Sequence, residues 1–207
     1  MVSLPKEKVL KYFGRFFLFL VGLVILFGSL ISAGLEITAK DKKENNLRNV
    51  PIEYIVEMPN GEKITKIYKV PESRIGPENS EYFIKKMRDK LWVDLSKTSK
   101  EKAEVCLLIA DKRMFETVEL VKKKGDEDLI IKTLDETIWH LKESKKMLSE
   151  ENKKDLEIVK IDQEINWAGL AYEDIVKSFN YKNEKINEII KDLETWNKKN
   201  IEKQEEI

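Results

Sequence analysis

The only histidine in this 207-residue sequence, His140, has Glu136 four residues before it and Glu143 three after. On a helix the three share one face, a spacing at which imidazole and carboxylate can begin a metal site. One helix supplies only part of such a site, and Glu/His neighbours arise readily in charged helices. His140 therefore reads as a surface histidine, and no metal is expected. The one cysteine, Cys106, lies in the apolar run Val105-Cys106-Leu107-Leu108-Ile109. It reads as a small buried hydrophobe rather than a nucleophile, and it has no internal disulfide partner. The eight glycines never gather into a phosphate-cradling loop. No carboxylate stands in an apolar loop that would announce a raised pKa. The four tryptophans lie at or beside helical seams, as core or interface filler. No catalytic residue, cofactor or small-molecule ligand follows from this inventory, and the chain does not read as an enzyme.

Composition narrows the classes further. Lys plus Arg and Asp plus Glu balance at 38 each. Setting aside the first fifteen residues leaves 34 basic against 37 acidic. That is no footprint for nucleic acid, whose binders need a basic face.

Phe16–Leu35 is twenty residues without a charge. At helical rise it spans about 30 Å, the thickness of a hydrocarbon core. Lys6, Lys8, Lys11 and Arg15 precede it, as in a signal peptide or an uncleaved signal-anchor. Its length favours the anchor, while Ser32-Ala33-Gly34 keeps cleavage and secretion open. Lys and Arg counts tie on its two sides, with Lys40, Lys42, Lys43 and Arg48 following. The short basic tail, residues 1–15, suits the cytoplasm, so the remainder is expected to be extracytoplasmic. This reading gives a single-pass membrane protein with a juxtamembrane linker over 36–50.

The expected fold is mainly α: the transmembrane helix, a short β-hairpin, then an antiparallel helical bundle with a long C-terminal coiled-coil-like helix. Ile52–Met58 and Lys63–Val70 flank Pro59-Asn60-Gly61, whose turn chemistry predicts a hairpin over 51–72. A two-stranded hairpin is marginal alone, so one face must rest on something else. Asn79 or Ser80 is expected to cap a first helix ending near Leu95. Ser99 is expected to cap a second, stopped by Gly125 after three lysines. Asp126 and Asp128 open a third, reaching about Leu148. Ala103, Leu107, Ala110, Met114 and Val121 stripe the second helix; Ile131, Leu134, Ile138, Leu141 and Leu148 stripe the third.

From residue 153 to 207 an apolar seam recurs at alternating steps of three and four, broken only at Lys182. The pattern predicts one long helix, continuous or kinked near Asn180–Asn183. Leu156, Val159, Trp167 and Leu170 add apolar positions to its first half, enough to touch two neighbours. Phe179, Ile186, Ile189, Leu193 and Trp196 form a candidate interaction seam in the second half. Whether that seam meets its own neighbour, folded back, or another copy of the chain stays open.

The stretches Gly76-Pro77-Glu78-Asn79-Ser80-Glu81-Tyr82-Phe83-Ile84-Lys85-Lys86 and Lys102-Ala103-Glu104-Val105-Cys106-Leu107-Leu108-Ile109-Ala110-Asp111-Lys112-Arg113 resemble the bacterial domain-of-unknown-function family 5667. Pro77, Tyr82, Lys85, Ala103, Glu104, Ala110, Asp111 and Arg113 sit where that pattern places them, whereas Asn79-Ser80 replaces its Ser-Pro. The resemblance covers about residues 71–148, within a helical hairpin domain over 77–150. It implies an exported helical hairpin with no known chemistry, and by analogy with relatives a link to sigma-factor regulation. Independently of the resemblance, Tyr82 can clasp the second helix, and Glu104, Asp111 and Arg113 can pair with the first or third. Two functions follow: a membrane-anchored structural or protein-docking role, or an envelope signalling or regulatory module of the sensor or anti-sigma-associated type.

Overall fold

A computed structural model describes residues 49–58, 61–149, 155–179, 181 and 183–205, together with Phe17 and Val21. The chain divides into two units, Met1–Leu47 and Arg48–Ile207. The expected transmembrane segment Phe16–Leu35 lies, apart from those two helical positions, outside the described residues. Among the described residues no helix is long and apolar enough to cross a membrane.

The second unit is mainly helical with one short antiparallel hairpin. Strands β1 (Asn49–Glu57) and β2 (Lys63–Pro71) pair from Asn49↔Pro71 at the open end to Glu57↔Lys63 at the turn. Gly61 has φ +80°, a conformation that only glycine takes without cost. One face of the hairpin carries Ile52, Tyr54 and Val70 into the core. That face rests on α2 through β2 and on α4 through β1, so neighbouring helices supply what an isolated hairpin lacks.

Five helices follow: α1 (Tyr82–Leu95), α2 (Ser99–Lys122), α3 (Glu127–Leu148), α4 (Leu156–Ser178) and α5 (Glu184–Glu205). The first starts one or two residues later than a cap at Ser80 or Asn79 would place it. Asn79 spends its side chain on the Glu81 amide in a preceding turn, and Glu81, without a side-chain cap bond, stands at the N-cap. Thr98 caps α2 by accepting from the Glu101 amide, and Asp126 caps α3 by accepting from the Leu129 amide.

The end of α2 differs from expectation in an instructive way. The left-handed residue is Lys124 at φ 54°, not Gly125. The Lys124 amide donates to the Val121 carbonyl and the Gly125 amide to that of Leu120, the pair of bonds of a Schellman stop. Gly125 is needed one place further on, where a Cβ would lie 3.2 Å from the Leu120 carbonyl oxygen.

Helices α2 and α3 form the antiparallel pair, closed at one end by Ser144 donating to the Ala103 carbonyl. The expected α3 stripe is buried throughout; on α2, Ala103, Ala110 and Met114 are buried while Leu107 and Val121 are partly covered. Over 153–207, where the pattern allowed a continuous helix or one kinked near Asn180–Asn183, the chain forms two helices parted at that place. α4 ends at Ser178, and Asn183 restarts the chain by accepting from the amides of Lys185 and Ile186. α5 then runs back along α4, with Lys177 paired to Glu194 and Asn197 donating to the Gly169 carbonyl. A fold-back keeps the apolar seam facing inward on both arms, which is why the heptad pattern passes through the break. Ile186 and Leu193 are fully buried, and Phe179, Ile189 and Trp196 pack partly buried against the same core. The candidate seam is thus used within the chain.

Two expectations about α4 and the tryptophans are corrected. Leu156, Trp167 and Leu170 face solvent and only Val159 is half-buried, because α5 covers the other side of α4. Trp139 and Trp167 are exposed rather than core filler, while Trp92 and Trp196 are partly buried.

Candidate functional site

Helix α1 is packed inside out. Its buried residues are Lys85 and Asp89, while Phe83, Ile84, Met87, Leu91 and Leu95 are exposed. The reason lies on α2, where Arg113 and Glu116 are themselves buried.

Glu116 receives the Tyr82 hydroxyl at 2.6 Å, the Ser73 hydroxyl at 2.6 Å, the Arg113 guanidinium at 3.1 Å and the Lys85 ammonium. Arg113 donates from its other terminal nitrogen to Asp89 at 2.8 Å. The Arg113 guanidinium also lies 4.8 Å above the Tyr82 ring. Lys85 reaches back to the Ile75 carbonyl at 3.1 Å, tying the segment after the hairpin to α1. At the rim Lys86 pairs with Glu136 of α3 at 2.7 Å, and Arg88 with Asp89 at 2.7 Å. The deepest four groups are two cations and two anions, so the cluster is neutral as well as hydrogen-bonded, the condition for keeping charge out of water.

Burial pushes the Lys85 ammonium below its ordinary range, opposed by Glu116. For Arg113, burial works against the charge, but Glu116, Tyr82 and Asp89 outweigh it and raise the value. His140 borders this cluster rather than standing on the surface as expected. Burial, then the Arg113 charge, lowers its pKa to about 4, so near neutral pH it is uncharged. Its Nδ1 is buried with no hydrogen-bond partner, and its ring meets Trp139 edge to face at 4.7 Å. Among the described residues no three His, Cys, Asp or Glu side chains are placed to hold a metal ion.

A second polar contact joins the hairpin to the bundle. Asp111 of α2 accepts the hydroxyls of Tyr68 (β2) at 2.9 Å and Tyr172 (α4) at 2.7 Å on one oxygen. Burial raises the Asp111 pKa to about 7 against the relief given by the two tyrosines. This is a carboxylate with a strongly raised pKa where none was expected. Its partners come from distant segments, so nothing around it in sequence announced the setting. Cys106 is buried, and burial raises its thiol to about 11.

Of the remaining motif residues, Ala103 packs in the core and offers its carbonyl to Ser144. Glu104 is half-buried on α2 and Pro77 half-buried ahead of α1. Tyr82, Arg113 and Lys85 meet in the cluster; Asp111 lies in the second contact. Asp89, Glu116 and Ser73 were not singled out by the sequence. The signal for the first two was the opposite of a motif: charged residues placed opposite an apolar arc on α1 and among apolar neighbours on α2.

The arrangement holds one helix at fixed rotation, and its ionised groups are occupied with one another. The fold and this cluster define a hairpin-capped helical bundle built around a charged helix contact. Residues 74–167 match the model of the family described as Domain of unknown function (DUF5667), the family that the motifs around Pro77 and Ala103 resemble. The match takes in α1, α2, α3 and the first half of α4, and with them all of the charge cluster except Ser73. No curated protein and no solved structure matches the chain.

Proposed function

We propose that this protein is a membrane-anchored helical module with a non-catalytic docking or structural role, its bundle held on the extracytoplasmic side. The observation that carries the docking role is the inverted packing of α1. Burying two cations and two anions costs more than burying leucines of similar volume, so the fold gives up stability to keep the apolar side of α1 outward. An apolar face maintained in this way suits a covering partner. The anchor rests on the uncharged twenty residues Phe16–Leu35 and the basic residues before them.

A cysteine replacing the exposed Lys198 tests the placement. In intact cells an impermeant maleimide labels it without lysis, and the chain stays in the membrane pellet after an alkaline carbonate wash. Buried Cys106 supplies little background. Labelling only after lysis overturns the extracytoplasmic placement, and release by carbonate overturns the anchor.

A further inference from the structure

We infer that α1 is an interfacial helix that seats on an anionic bilayer surface, apolar side down. Phe83, Ile84, Met87, Leu91 and Leu95 are 62%, 56%, 53%, 41% and 47% exposed. At 3.6 residues per turn they occupy a continuous arc of about 120°. Lys90 and then Lys86 flank this arc on one side and Arg88 on the other; Asp94 near the C-terminal end is the acidic residue within it. Lys86 and Arg88 are paired with Glu136 and Asp89 at the rim of the cluster, so the exposed Lys90 at the edge of the arc is the cation placed to reach lipid phosphates from a helix lying at the headgroup level.

The rotation of α1 is fixed by Lys85–Glu116 and Asp89–Arg113 on its opposite side. The arc is therefore presented already oriented, with no ordering left to be done on contact. A second copy is the weaker occupant. Fourteen residues of helix extend about 21 Å, and a stripe about 10 Å wide offers roughly 200 Å², against about 800 Å² per partner in a stable interface. A bilayer asks for no such complementary area.

This inference rests on the anchored reading, which also brings the helix within range. Residues 36–48 join the apolar segment to β1, thirteen residues that reach at most about 45 Å.

The test uses the full chain in nanodiscs containing phosphatidylglycerol, with an environment-sensitive fluorophore on Met87→Cys and, separately, on Leu26→Cys. Spin-labelled lipids quench both labels if the inference holds. Reversing Lys90 to Glu then lowers quenching at Met87 about five-fold and leaves that at Leu26 unchanged. Quenching at Leu26 but not at Met87 overturns the inference and leaves the anchor standing. Loss of quenching at both removes the anchor and the inference together. A Met87→Cys chain that cross-links to a second copy without lipid quenching assigns the face to self-association and overturns the bilayer.

Discussion

Lys85 and Glu116 pair between α1 and α2 with only 5% and 1% of their side chains exposed. Neither charge has water to fall back on, yet they are not equivalent. Lys85 serves one carboxylate, a hydroxyl and a carbonyl, whereas Glu116 is the acceptor on which four side chains converge.

Glu116→Gln is therefore expected to cost about 3–5 kcal/mol, because Lys85 and Arg113 keep their charge and lose its balance. Lys85→Met should cost less, since Arg88 also pairs with Asp89 and leaves Arg113 to balance Glu116. Urea unfolding of the two variants measures the difference. Equal losses would mean that Glu116 is not the hub.

Asp111 gives the domain a pH dependence of a particular sign. Its folded pKa, raised to about 7, exceeds its ordinary 3.8. Its contribution is fully present below about pH 4 and is lost as pH rises to about 7, because the folded state holds the proton more tightly. His140 acts oppositely over much of that range: its pKa is lowered to about 4 from 6.5, so acid costs stability there. Comparing the protein with Asp111→Asn isolates the first effect. Asparagine keeps the acceptor for Tyr68 and Tyr172, so the variant should gain on the original between about pH 4 and about pH 8. A constant offset between the two urea midpoints would remove Asp111 as the source.

Gly169 lies under α5, where an added Cβ would come within 2.5 Å of the Trp196 ring and would also strike the Asn197 side chain. Gly169→Ala should cost about 1–3 kcal/mol by overpacking. The loss should be localised: amide exchange is expected to quicken in α5 before α2 and α3. Trp196→Phe combined with it should recover part of the loss by yielding the space.

Lys124 holds a left-handed conformation without being glycine. Lys124→Gly should stabilise the domain by about 1 kcal/mol, read as a rise in melting temperature of about 2–4 °C. A fall instead would show that the Lys124 side chain contributes more than its backbone costs.

Local chemistry made much of the fold legible. Pro59-Asn60-Gly61 announced the hairpin to within two residues, and Asp126 announced the start of α3. The seam left open whether the chain continues or kinks near Asn180–Asn183, because both arms of a fold-back keep the same seam. The inversion of α1 was hidden. Periodicity gives the direction of an apolar arc but not what lies beyond it. Only Arg113 and Glu116, about thirty residues along the chain, turn Lys85 and Asp89 inward. In the same way Asp111 looks like an ordinary helix carboxylate until Tyr68 and Tyr172 arrive from β2 and α4.

The hairpin joins the rest of the domain by its open end. Of its nine paired positions, Asn49↔Pro71 comes first along the direction in which a pull would enter from residue 48. Tension applied there acts on one rung at a time, parting β1 from β2 like a zip, since the ladder bonds lie across the strands. Beyond Pro71 the chain is gripped at Ser73 and Ile75 by Lys85. A load entering from residue 48 would thus part β1 from β2 and draw Ile52 and Tyr54 out of the core before it reached the seating of α1.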